Sequence, residues 1–127
     1  MNRRNDPDKP TKRKLSEMIA EIGAGFIGAG KTLEERQNRL NAVCTAWNIA
    51  SGSPEHRQQQ IERYGEGYLR SNPATSPSDL ANILKDLNTL MERKLQLFPD
   101  DHRQIVDAQV VKVGTGFRIE VASATLG

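Results

Sequence analysis

Apolar residues in this chain follow two different periods. Leu15, Met18, Ile19 and Ile22 fall at i, i+3, i+4 and i+7, one stripe of a helix with Glu17 and Glu21 off it. Gly23, Gly25, Gly28 and Gly30 follow closely, a density of glycine that predicts a helix ending or a loop. Thr32-Leu33-Glu34-Glu35 then has the form of a capping box. In that arrangement the Thr32 hydroxyl accepts from the Glu35 amide, and the Glu35 carboxylate reaches back to the Thr32 amide. The helix it opens carries Leu33, Leu40, Val43, Cys44, Trp47 and Ala50 on one face and is expected to stop near Ser51-Gly52.

A new start signal comes at once, with Ser53 as N-cap, Pro54 at the first helical position and Glu55 in the first turn. This third helix gathers Ile61, Tyr64, Tyr68 and Leu69 on one side. It is the weakest of the set, because Gly65 and Gly67 each cost up to about 1 kcal/mol in a helix interior. Ser71 to Pro77 reads as a loop. Ser76, Pro77 and Asp79 then repeat the start grammar for a fourth helix with Leu80, Ile83, Leu84, Leu87, Leu90, Met91 and Lys94 or Leu95 on its apolar side. Pro99 disfavours helix at Phe98 and should end it there.

Beyond Asp100-Asp101 the period drops to two. Phe117, Ile119 and Val121 alternate with Arg118 and Glu120, the pattern of a half-buried strand. Ile105 to Val113 precedes it through Gly114-Thr115-Gly116, read as a three-residue hairpin loop. The predicted fold is therefore α+β: a four-helix N-terminal portion with a C-terminal antiparallel β-hairpin packed on it, strands about 104–113 and 117–124. Residues 14–127 form a single domain in this reading, preceded by a disordered basic arm over 1–13. The expected core is Leu15, Ile19, Leu40, Val43, Trp47, Leu80, Leu84, Leu87, Met91, Phe98, Ile119 and Val121.

Composition narrows the class further. The chain has 127 residues, 36% hydrophobic and 27% charged, which excludes a collagen, a coiled-coil rod, a disulfide scaffold and a fully disordered chain. No run approaches 18 consecutive apolar residues, so no membrane span is expected. A single cysteine, Cys44, gives neither an internal disulfide nor a metal-ligand spacing, and His56 and His102 have no neighbouring thiol. The N-terminus lacks the apolar core of a signal peptide. The expected compartment is the reducing cytoplasm.

Charge is distributed unevenly. The whole chain is +2, but residues 1–14 carry Arg3, Arg4, Lys9, Lys12, Arg13 and Lys14 against only Asp6 and Asp8. The body is thus mildly acidic and the arm strongly basic. Arg3, Arg4, Lys12, Arg13 and Lys14 are candidate phosphate contacts for nucleic acid, with salt-sensitive affinity. No aromatic is interleaved among them to stack bases, and a solubilising tail is the favoured account of them.

One motif needs weighing. Gly25-Phe26-Ile27-Gly28-Ala29-Gly30-Lys31-Thr32 matches the phosphate-binding loop pattern G-x-x-x-x-G-K-[ST], so Gly25, Gly30, Lys31 and Thr32 are candidate nucleotide contacts. That loop works between a buried strand and a helix. Here the preceding segment has helical spacing, and no later apolar strand ends in a metal-holding Asp. The context favours a helix–helix connection with Thr32 as N-cap. Elsewhere Cys44 and Trp47 read as core, His56 as a solvated first-turn residue, and Asp100-Asp101 as a turn beside His102. No catalytic constellation emerges, and no metal or cofactor is implied.

Two stretches resemble a family of small bacterial proteins of unknown function. One is Thr32-Leu33-Glu34-Glu35 leading to Ala46-Trp47-Asn48. The other is Glu92-Arg93-Lys94 through Leu97-Phe98-Pro99-Asp100-Asp101, then Arg103, Ile105 and Val106. The resemblance implies a single cytoplasmic bacterial domain and carries no activity. The expected role is a non-enzymatic interaction or accessory protein, with homodimerisation through the hairpin, since a terminal two-stranded element leaves open edges.

Overall fold

The computed structural model describes residues 14–124. Within them the order is α1 (Leu15–Gly28), α2 (Leu33–Ser51), a short 3-10 turn (Pro54–His56), α3 (Arg57–Ser71), α4 (Pro77–Leu97), β1 (Ile105–Val113) and β2 (Gly116–Ser123). The architecture is α+β, four helices followed by a two-stranded antiparallel sheet. The long α2 is the centre of the assembly: it packs against α1, α3, α4 and β1, while α1 lies along β2.

Local chemistry sets most element boundaries as expected. The Thr32 Oγ1 accepts from the Glu35 amide at 3.0 Å, and the Ser76 Oγ accepts from the Asp79 amide at 3.1 Å. The Glu35 carboxylate reaches back to the Lys31 amide at 2.8 Å, one residue earlier than the usual box. Ser53 accepts from the Glu55 amide, so its grammar opens the 3-10 turn rather than α3 directly.

Three expectations are corrected. Gly23 and Gly25 do not end α1; they continue it to its last residue, Gly28, and only Ala29 to Thr32 separates it from α2. Gly23 serves close packing: a Cβ there would lie 2.7 Å from a Val43 methyl, so the α1–α2 contact requires its absence. Leu33, on the expected core face, is 50% exposed; the buried stripe of α2 begins at Leu40 instead. The hairpin loop has two residues, with Val113 paired to Gly116. Gly114 stands at its first central position with φ +60°, as primed turns require.

The core joins Ile19, Ile27, Leu40, Val43, Trp47 and Leu87, all but inaccessible, with Leu15, Leu90, Met91, Ile105 and Val110 around them. Of the expected core, Leu80, Leu84, Phe98, Ile119 and Val121 are only half-buried. The basic residue Lys94 is fully buried in the same core.

Candidate functional site

Two places on the molecule combine polar groups in a way that needs explaining: the segment between α4 and β1, and the two edges of the hairpin. The first place and the β1 edge are organised by α2.

The segment from Phe98 to Gln104 is held by its backbone. The Trp47 indole donates to the Arg103 carbonyl at 2.8 Å, and Ser51 Oγ donates to the Asp101 carbonyl at 3.4 Å. Lys94 Nζ donates to that same Asp101 carbonyl at 2.6 Å and lies 4.9 Å from the centre of the Trp47 ring. The ring attracts the buried ammonium and the carbonyl fixes it, which partly offsets its lost hydration. Burial still holds the Lys94 amine below its ordinary basicity, against the opposing pull of Asp101. Asp101 itself turns its carboxylate to the Arg103 guanidinium and amide, and these bonds hold its carboxyl below the usual range. The His102 ring nitrogen Nδ1 sits 3.2 Å from the Ser51 carbonyl.

Ala46-Trp47-Asn48 and Phe98 to Ile105, far apart in sequence, meet in this joint. Its chemistry is structural. Lys94 is closed off from solvent, Asp101 is engaged by Arg103, and Cys44 is buried, with desolvation raising its thiol to about 12. Among the described residues no group of three His, Cys, Asp or Glu side chains is placed to hold a metal ion. Among them, too, no helix is long and apolar enough to cross a membrane.

The glycine-rich candidate segment is shaped by helix geometry. Gly25 lies inside α1, and the amides of Ala29, Gly30 and Lys31 are already engaged. The Ala29 amide bonds the Gly25 carbonyl, the Gly30 amide the Ile27 carbonyl and the Lys31 amide the Glu35 carboxylate. A phosphate cradle needs such N–H groups free and convergent. The nearby cations face the other way: Arg36 donates to the Gly30 carbonyl at 3.0 Å and Arg39 to the Phe26 carbonyl at 3.0 Å, both completing the C-terminal end of α1. Lys31 is exposed. Of the basic-arm candidates, Arg3, Arg4, Lys12 and Arg13 lie outside the described residues; Lys14 is exposed immediately before α1.

The hairpin edges are the second place. In an antiparallel pair, alternate residues turn both N–H and C=O away from the partner strand. On β1 the outward residues are Ala108, Val110 and Lys112, and the Gln37 side chain meets the first two. Its Nε2 donates to the Ala108 carbonyl at 2.9 Å and its Oε1 accepts from the Val110 amide at 2.8 Å. Three helical turns later, Asn48 repeats the device on Ile105, donating to its carbonyl at 2.9 Å and accepting from its amide at 2.7 Å. The register shift between Ile105 and Asp107 resets the alternation so that Ile105 also faces α2.

On β2 the outward residues are the partners of that set: Phe117 opposite Lys112, Ile119 opposite Val110 and Val121 opposite Ala108. Among the described residues no side chain or backbone group of another element bonds their outward N–H and C=O groups. Every residue of β2 is half-buried or exposed. The side chains of Phe117, Ile119 and Val121 point to the helical side, where the Arg36 guanidinium lies 4.5 Å from the centre of the Phe117 ring. Arg118 and Glu120 occupy the opposite, solvent-facing side and pair at 2.8 Å.

Comparison with family models, with curated proteins and with solved structures finds no match for this chain. Sequence reasoning located the hairpin and expected open edges, whereas α2 side chains bond the β1 edge. It missed Gln37 and Asn48, whose only signal is a run of amides at helical spacing, Gln37, Asn41 and Asn48, on an otherwise ordinary polar face.

Proposed function

We propose that this chain is a non-enzymatic cytoplasmic interaction protein that self-associates through its C-terminal hairpin. One observation carries the reading: two amide side chains of α2 bond the Ile105 N–H and C=O, the Ala108 C=O and the Val110 N–H on the β1 edge, while among the described residues the outward groups of β2 have no such partner. A strand with unpaired N–H and C=O groups is a template for another strand. The buried thiol of Cys44 fits a reducing compartment. The deep burial of Lys94 and the engagement of Asp101 leave both with packing roles, which suits a binding protein better than a catalyst.

The test is absolute mass by light scattering on a size-exclusion column, over a range of concentrations and at low and high salt. A species of twice the 14.1 kDa chain mass, persisting at high salt, is the expected result, since β-pairing resists screening. A monomer throughout would overturn the reading.

A further inference from the structure

The sequence of β2 is complementary to itself when reversed, and this specifies how a second copy would pair. Resting on the self-association proposed above, we infer that two copies join β2 to β2 in antiparallel register about a two-fold axis through Ile119, making one continuous four-stranded sheet. The outward residues are Phe117, Ile119 and Val121, and an axis through Ile119 puts outward residue opposite outward residue at every step. Ile119 meets Ile119 of the second copy, and Phe117 meets Val121. All the main-chain groups that β1 leaves unused on β2 then find partners.

The intervening positions provide the specificity. The same axis sets Arg118 opposite Glu120 of the second copy, and Glu120 opposite its Arg118. These fall at non-hydrogen-bonded pairs, where the Cα atoms approach to about 4.5 Å and side chains meet most closely. Both side chains lie on the solvent-facing side, 60% and 49% exposed, and already pair with each other along the strand. Pairing the two copies extends that single ion pair into an alternating row of four charges. A slip of the axis by one residue either way sets Arg118 against its own copy or Glu120 against its own copy, a like-charge contact in each case. The apolar set behaves consistently, because the true register keeps Phe117, Ile119 and Val121 of both copies on the helical side. A partner strand of different sequence would meet the edge without this charge match, so the second copy is the occupant the residues specify.

The decisive experiment uses two single variants of the full chain, Arg118→Glu and Glu120→Arg. Each alone replaces two opposite-charge contacts per dimer with two like-charge contacts and weakens self-association by about tenfold or more. Mixed in equal amounts they restore opposite charges at both contacts between chains, although within each chain positions 118 and 120 still carry like charges. Recovery of wild-type affinity by the mixture, measured by light scattering or sedimentation at low salt, is the expected result. Rescue by the mixture cannot come from a change inside either monomer. Ile119→Pro provides the companion measurement, because it removes an edge-facing N–H without breaking the β1–β2 ladder; unchanged circular dichroism confirms that it folds. If Ile119→Pro abolishes association while the mixture shows no rescue, the register is wrong and the edge reading survives. If the wild-type chain never associates, or Ile119→Pro associates as the wild type does, the edge reading fails and this inference with it.

Discussion

The two strands of the hairpin are close in length, nine residues and eight, and both belong to one two-stranded sheet. Their outer edges nevertheless meet different surroundings. Along β1, Gln37 and Asn48 each present one donor and one acceptor to a strand that presents the same, so two side chains of a helix act as a substitute neighbouring strand. Along β2, α1 packs as an apolar layer with no group of that kind. A primary amide is the one neutral side-chain group that carries donor and acceptor side by side. One helix side chain can therefore meet both a strand N–H and a C=O where Asn or Gln falls at the right spacing. The eleven residues from Gln37 to Asn48 span about three turns, returning to the same face.

The largest way to break the contrast is to remove the anchor that holds α2 beside β1. Trp47→Ala empties a nearly inaccessible core position and leaves the Arg103 carbonyl without its donor. The expected loss is about 3–5 kcal/mol in urea unfolding, enough to free the hairpin from the helices. Asn48→Ala leaves the Ile105 N–H and C=O both unpaired at a partly buried site and should cost about 2 kcal/mol. Gln37→Ala acts at a more open point and should cost about 1 kcal/mol. It also bares a second edge, so light scattering should show association beyond a simple pair.

Lys94→Met sharpens the comparison from the other side of the joint. Desolvation lowers the folded-state basicity of Lys94 below its ordinary value of 10.5, so the unfolded chain binds the extra proton between the two values. Wild-type stability should therefore gain on this account as pH rises through that window, with the gain complete above 10.5. Lys94→Met should lack that alkaline gain when urea midpoints are compared at neutral and alkaline pH. The smallest effect is expected on the bare edge: Arg118→Ala should change monomer stability by no more than about 0.5 kcal/mol, because its ion pair is well exposed. A large loss there would mean that β2 depends on its outer face as β1 depends on α2.

Much of this was legible in the residue order. The Thr32 and Ser76 caps, the apolar stripe of α4 and the alternation of β2 are local signals, and each appears where its chemistry requires it. Gly23 misled, because its purpose is a close approach to Val43 that only the α1–α2 packing reveals. Lys94 lies on the apolar stripe at the correct period, yet a cation at the end of a helix ordinarily reads as a partner for the dipole. Its burial depends on a ring and a carbonyl brought in by α2 and the segment after α4.

The sequence by itself determined the elements, their order, the hairpin and the self-complementary pattern of β2. These rest on capping, periodicity and turn chemistry acting over a few residues. Only the tertiary structure decided which edge of the hairpin is sealed. That outcome depends on amides and strand groups 57 to 73 positions apart meeting at hydrogen-bond distance. No local rule encodes such a meeting, because it is set by how α2 packs across the whole core.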